Sequence, residues 1–218
     1  MHQREAQIAL FAGYDLPVVN ITAEAACADF AGPAKRAGLP PFALLLQGIG
    51  RASLEVENFR WRLLEGRPVP VERLRLSYTV LGREEQLNFS TLDYRADREG
   101  FLADYLSDRD QARTATALRL APMTDRDYVF VTCLPWLRFT AIQHPIARLG
   151  DCSIPSIAVG RFEQVEGRLR FPIAVQAHHG LVDGLHIHRF IARLEQIMDD
   201  VAASLAPAAS SPTQGPAA

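Results

Sequence analysis

The sequence predicts a mixed α/β fold, and three observations carry that prediction. Strand-like runs recur at about 74–81, 85–91, 128–132 and 168–177. Two longer segments repeat apolar residues at helical spacing: Phe101, Leu102, Tyr105 and Leu106 within 97–118, and Ile187, Phe190, Ile191, Leu194 and Ile197 within 184–203. The 218 residues, 48% of them hydrophobic, are enough to bury a sizeable core in one domain, placed at residues 1–203.

In order along the chain, Val18–Ile21 reads as a short strand, with Asn20 or Thr22 able to cap a helix from about Ala23. Pro33 is expected to interrupt that helix. Pro40-Pro41 opens a second helix with Phe42, Leu45, Leu46 and Ile49 on its buried face. Strands are expected at 60–63, 67–71, 74–81 and 85–91, then the helix at 97–118. Strands resume at 128–132, 137–142, 154–162 and 168–177, and the last helix spans 184–203. Residues 204–218 are small and Pro-rich, with too little apolar surface to offset the entropy of ordering, and are expected to be a disordered tail.

Composition narrows the function. The formal charge of −2 gives no basis for a nucleic-acid or anionic-membrane partner. Lys35 is the only lysine, a bias read as base composition of the gene. An odd set of cysteines without regular spacing (Cys27, Cys133 and Cys152) suggests reduced thiols in a cytoplasmic protein. The opening Met-His-Gln-Arg-Glu lacks a signal-peptide layout, and no apolar run reaches the ~18 residues needed to span a bilayer.

The densest chemistry lies in His178-His-Gly-Leu-Val-Asp-Gly184. Two histidines follow the apolar run Phe171–Ala177, and a helical pattern starts after Asp183-Gly184. Strand neighbours face opposite ways, so one imidazole is expected to be buried and the other to face a cleft. Asp183 falls on the same turn as His179 and can brace it. Three readings stand on these residues alone. An imidazole at a strand end can be a general base. His179, Asp183, His186 and His188 supply nitrogen and oxygen donors for a metal, although their spacing is not a usual zinc pattern and no Cys-x-x-Cys supports it. Both histidines can also be packing residues.

The stretch His178–His186 resembles the His-His-x-x-x-Asp-Gly-x-His signature of the chloramphenicol acetyltransferases. Its shorter core also occurs in peptide-synthetase condensation domains and dihydrolipoyl acyltransferases. Leu134-Pro135-Trp136 with Phe139 resembles the Leu-Pro-Trp block of the acetyltransferases, and Tyr78-Thr79-Val80 and Phe89-Ser90-Thr91-Leu92 resemble two more of their blocks. Pro41-Phe42, Phe59-Arg60, Glu65-Gly66 and Arg168–Pro172 fall in the same order. The resemblance covers about residues 4–200. It implies a two-layer α+β sandwich, a mixed sheet with packed helices, assembled as a trimer with the site between subunits.

The resemblance also implies roles. His179 matches the base that takes the acceptor hydroxyl proton, so that acetyl passes directly from acetyl-CoA, a co-substrate and not a bound cofactor. Thr132 stands where the family has the serine that donates to the oxyanion; the hydroxyl is kept and a methyl added. Asp183 matches a structural carboxylate paired with an N-terminal arginine, for which Arg4 is the candidate, although His2 stands where the family has tryptophan. Phe89, Thr91, Phe11, Phe130 and His144 match the acceptor pocket. No metal is implied. Phe130 replaces an asparagine, His144 an apolar residue, and Ala158 a threonine, changes that alter which acceptor fits. Three functions follow: chloramphenicol O-acetylation with antibiotic resistance, acylation of another alcohol or amine from CoA or a carrier protein, and non-catalytic binding. The intact His179 argues against the third.

Overall fold

A computed structural model of the chain describes residues 4–120, 126–146 and 153–206. Its centre is a seven-stranded mixed sheet in the order β1-β9-β7-β6-β4-β5, with β8 paired to β9. The strands are β1 (Val18–Cys27), β4 (Arg75–Leu81), β5 (Leu87–Asp93), β6 (Tyr128–Cys133), β7 (Ser156–Val159), β8 (Glu163–Val165) and β9 (Arg168–His178). The β4–β6 and β6–β7 pairs are parallel and the others antiparallel. A separate hairpin joins β2 (Trp61–Leu64) to β3 (Arg67–Pro70). Helices α2 (Ala31–Arg36), α3 (Pro41–Glu55), α4 (Arg98–Thr114) and α5 (Gly184–Leu205) form the second layer, and α1 (Glu5–Phe11) stands at the end of β9. This is the expected two-layer mixed α/β architecture.

The layers follow from side-chain periodicity. In β4, Leu76, Tyr78 and Val80 are buried while Ser77 and Thr79 are half-buried; in β5 Leu92 is buried while Phe89 and Thr91 are half-buried. One face therefore packs on the helices, and the other carries Ser77, Thr79, Phe89 and Thr91. Phe130 pairs with Ser77, and Thr132 with Ala158, on that second face. Helix α5 contributes Ile187, Phe190, Leu194, Ile197 and Met198 to the core, each at most 2% exposed. Burying such a side chain stabilises by roughly 1.5–3 kcal/mol.

Polar side chains close the edges of the sheet. On β5 the Phe89 amide donates to Asn88 Oδ1 and the Thr91 amide to Asp108 Oδ2. Beside β1, the Ala26 amide donates to Glu195 Oε1 and the Ala28 amide to Asp199 Oδ1. Backbone groups that would otherwise recruit another strand are thereby occupied. Arg62 links the hairpin to the sheet. It is 1% exposed and donates to the carbonyls of Phe59, Trp61, Arg126 and Tyr128 at 2.6–2.9 Å.

Several expectations need correction. No helix starts at Ala23: β1 runs on to Cys27 because β9 offers ten continuous partners, and Ala25 and Cys27 enter the core. Pro33 does not break a helix but is the third residue of α2, where an amide has no intrahelical partner to lose. Residues 137–142 form no strand; the Leu137 amide closes a turn onto the Leu134 carbonyl. The run 154–162 stops at Gly160, where a Cβ would lie 2.4 Å from Pro172 Cγ, and pairing resumes as β8. Helix α4 ends at Thr114, short of 118, and α5 reaches Leu205, so Ser204 and Leu205 belong to it and not to a disordered tail. Residues 207–218 of that expected tail lie outside the described residues. The remaining strands fall within two residues of expectation.

Candidate active site

Strand β9 delivers two histidines to a tight turn. His178 closes the strand opposite Val18 and is 2% exposed. Its Nδ1 accepts from the Gly180 amide at 3.1 Å, and burial, with His179 adding to it, pushes its pKa down to about 4. It is therefore neutral near pH 7. The amides of Leu181 and Val182 both donate to the His178 carbonyl, each at 2.9 Å. Gly180 is closely packed: a Cβ there would lie 3.0 Å from the His178 ring and from Ile8 Cα, so either neighbour would have to give way.

His179 is half-buried beyond the strand, its amide donating to Pro17 O at 2.8 Å. Its Nδ1 is 3.1 Å from Val182 O. A carbonyl oxygen only accepts, so Nδ1 is the donor in this contact, and in the neutral ring the lone pair is then on Nε2. Phe11 stacks on the ring at 4.2 Å and 26°.

Helix α1 sets this ring from the other side. Arg4, Ile8 and Phe11 recur at helical spacing and therefore share a face. Arg4 donates to Gly180 O at 2.9 Å, His179 O at 3.1 Å and Asp183 Oδ2 at 2.9 Å, with its side chain 14% exposed. Asp183 also caps α5, accepting from the amides of Leu185 and His186 at Oδ1. Burial opposes its ionisation, but the Arg4 hydrogen bond and the nearby His186 outweigh it and hold the carboxyl below its usual range. His179, Asp183, Arg4 and Phe11 are thus gathered in one place.

The other expected residues lie elsewhere in the chain. Thr132 is on β6, two strands from β9, a separation of about 10 Å before the turn is counted. Phe89 and Thr91 line a cleft of about 570 Å³ that none of the residues around His179 reaches. Phe130 stacks beside it on Tyr128 at 6.4 Å. His144 lies in the stretch 141–146, held by its backbone to the Gln176 side chain, while Asn20 donates to Ile142 O. Its Nε2 is buried and, among the described residues, without a hydrogen-bond partner, and burial lowers its pKa. Among the described residues no three His, Cys, Asp or Glu side chains form a metal-holding cluster, so His179, Asp183, His186 and His188 do not make one.

A family model described as chloramphenicol acetyltransferase matches residues 3–195. The chain belongs to the chloramphenicol acetyltransferase family. It is accordingly an acetyltransferase. It is 27% identical over 158 residues to chloramphenicol acetyltransferase 3 of Escherichia coli, covering 72% of this chain and 74% of that one. To a chloramphenicol acetyltransferase of Campylobacter coli it is 26% identical over 168 residues, 76% and 81% of the two chains. A solved chloramphenicol acetyltransferase superposes with a TM-score of 0.79 at 25% identity, covering 89% of this chain and 94% of that one.

Against the chloramphenicol acetyltransferase pattern, sequence reasoning missed the charged walls of the cleft. Arg75, Asp93, Arg119 and Tyr128 line it with Phe89 and Thr91. Arg75 pairs with Asp127 at 2.7 Å and lies 4.5 Å over the Tyr128 ring, and Arg119 pairs with Asp108 at 2.6 Å. Arg75 adjoins the Tyr-Thr-Val block on its strand, which is the one sequence signal for it. Arg119 follows α4 in a stretch without a motif.

Proposed function

We propose that the chain transfers acetyl from acetyl-CoA to a hydroxyl of chloramphenicol or a similar small alcohol. The observation that carries this reading is the Nδ1 contact of His179 with Val182 O, which leaves Nε2 free to accept a proton. Nε2 takes the hydroxyl proton as the acceptor oxygen attacks the thioester carbonyl carbon. Thr132 Oγ1 donates to the resulting oxyanion. The intermediate collapses by breaking the carbon–sulfur bond, and the departing thiolate takes the proton from Nε2. A positioned base contributes about 10²–10⁴ in rate, and an oxyanion donor about 10²–10³. Arg4 and Asp183 hold the turn, and Phe11, Phe89, Thr91, Phe130 and His144 shape the acceptor side.

The separation of His179 from Thr132 within one chain supports a homotrimer in which each His179 faces Thr132 of the partner subunit. The reaction belongs in the cytoplasm, where acetyl-CoA is available and the free thiols of Cys27 and Cys133 stay reduced. No described helix is long and apolar enough to cross a membrane. Thiol release from acetyl-CoA with chloramphenicol as acceptor tests the reading. Turnover in the wild type, lost in His179→Ala, is the expected result, with resistance in cells expressing the wild type alone. A folded trimer without turnover rules out chloramphenicol. One observation favours a second reading, acylation of a more polar acceptor from CoA or a carrier protein: Arg75, Asp93 and Arg119 line the cleft beside Phe89.

A further inference from the structure

His186 is the third residue of α5 and 9% exposed. Its Nδ1 lies 3.2 Å from the Asp183 amide nitrogen and accepts from it. That amide is one end of the Val182–Asp183 peptide group. The other end is the Val182 carbonyl, which accepts from His179 Nδ1 at 3.1 Å. A single planar peptide therefore carries a hydrogen bond at each end, one to each histidine. We propose that His186 is a positioning residue for His179, acting through this peptide. The inference rests on the reading of His179 as the base.

The physical argument is one of orientation and polarisation. The peptide can pivot about its neighbouring bonds, and the His179 ring follows the carbonyl it is bonded to. Fixing the amide end fixes the carbonyl end, and an occupied N–H makes the carbonyl a better acceptor, since bonds in series strengthen one another. His186 thus favours the tautomer that leaves His179 Nε2 unprotonated. The same Nδ1 is 2.8 Å from Asp183 Oδ1. One nitrogen serves one contact at a time: unprotonated it accepts from the amide, and protonated it donates to the carboxylate. The amide-bound form is the one that sets His179. Burial lowers the pKa of His186 and favours the neutral ring, although the Asp183 charge acts against it; with its one proton on Nε2, that ring accepts from the amide through Nδ1.

Two substitutions separate this role from simple packing. His186→Gln keeps an acceptor that reaches the Asp183 amide, as glutamine does at this position of other helix caps. His186→Leu keeps bulk and removes the acceptor. The leucine variant is expected to lose roughly tenfold to a hundredfold in kcat, with KM for acetyl-CoA and acceptor little changed, and glutamine to recover most of the loss. In parallel, ¹⁵N NMR of histidine-labelled protein reads the His179 tautomer directly. The Nε2–H form should gain population in the leucine variant and return to wild-type level in the glutamine variant. Should leucine prevent folding, His186→Asn, polar but too short to reach the amide, replaces it. Unchanged kcat and tautomer in a folded variant lacking the acceptor overturn the proposal, as does equal impairment by glutamine and leucine. A wild type without turnover whose tautomer still responds to these variants would defeat the acetyl-transfer reading and leave the positioning role standing.

Discussion

At the scale of single residues, His178 and His179 show how one turn gives two imidazoles different surroundings. His178 is enclosed and its pKa falls to about 4 from an ordinary 6.5. The unfolded chain therefore takes up a proton near pH 6.5, whereas the folded chain resists until about pH 4. Stability is full above the upper value and falls as pH drops through that window, by roughly 3 kcal/mol in total. Denaturant melts of wild type and His178→Gln between pH 7 and 4 should show this slope in the wild type and its loss in the variant; parallel slopes would contradict it. His179, Asp183 and Arg4 were legible as residues because their types recur in a compact motif and its N-terminal counterpart. The Val182–Asp183 peptide was not, because a backbone group has no letter of its own. Nor were Gln176 and Asn20 around His144, whose partners lie 32 and 122 positions away.

At the scale of elements, periodicity identified most strands and the three long helices, and failed where a distant partner decides. Residues 23–27 have the composition of a helix start after a cap, yet β9 and the carboxylates of α5 draw them into a strand. Residues 137–142 look like a strand but find none to pair with among the described residues. Arg62 is the sharpest case of a tertiary role invisible in the pattern. Burial lowers its pKa to about 10, so it stays charged near neutral pH, inside the protein, with four carbonyls as its partners. Arg62→Leu leaves those acceptors unsatisfied and should lower stability by about 3 kcal/mol while loosening the β2–β3 hairpin from β6. Thermal unfolding with hydrogen exchange on Leu63 and Tyr128 checks both effects. A change below about 0.5 kcal/mol would show that water replaces the guanidinium without cost.

At the scale of the whole molecule, the two halves of the proposed site lie two strands apart within one subunit. A trimer with each site shared between neighbours makes a complementation test decisive. His179→Ala and Thr132→Ala should each be nearly inactive alone. Refolded together in equal amounts, they place an intact His179 against an intact Thr132 at roughly a quarter of the interfaces. Activity near that fraction is the expected outcome; none, in trimers shown by mass spectrometry to be mixed, would place each site within a single subunit. The architecture and sheet were readable from pattern and resemblance together, whereas the cleft was not, since its walls converge from β4, β5, β6 and the stretch after α4. The Arg4–Asp183 pair joins positions 179 residues apart. During synthesis the turn bearing His179 emerges long after α1, so α1 must wait, undocked, for nearly the whole polypeptide. Closing so long a loop adds little entropy beyond a loop of half the length, about 0.6 kcal/mol. It does set an order of events, in which competence for chemistry arrives only once the sheet has been built.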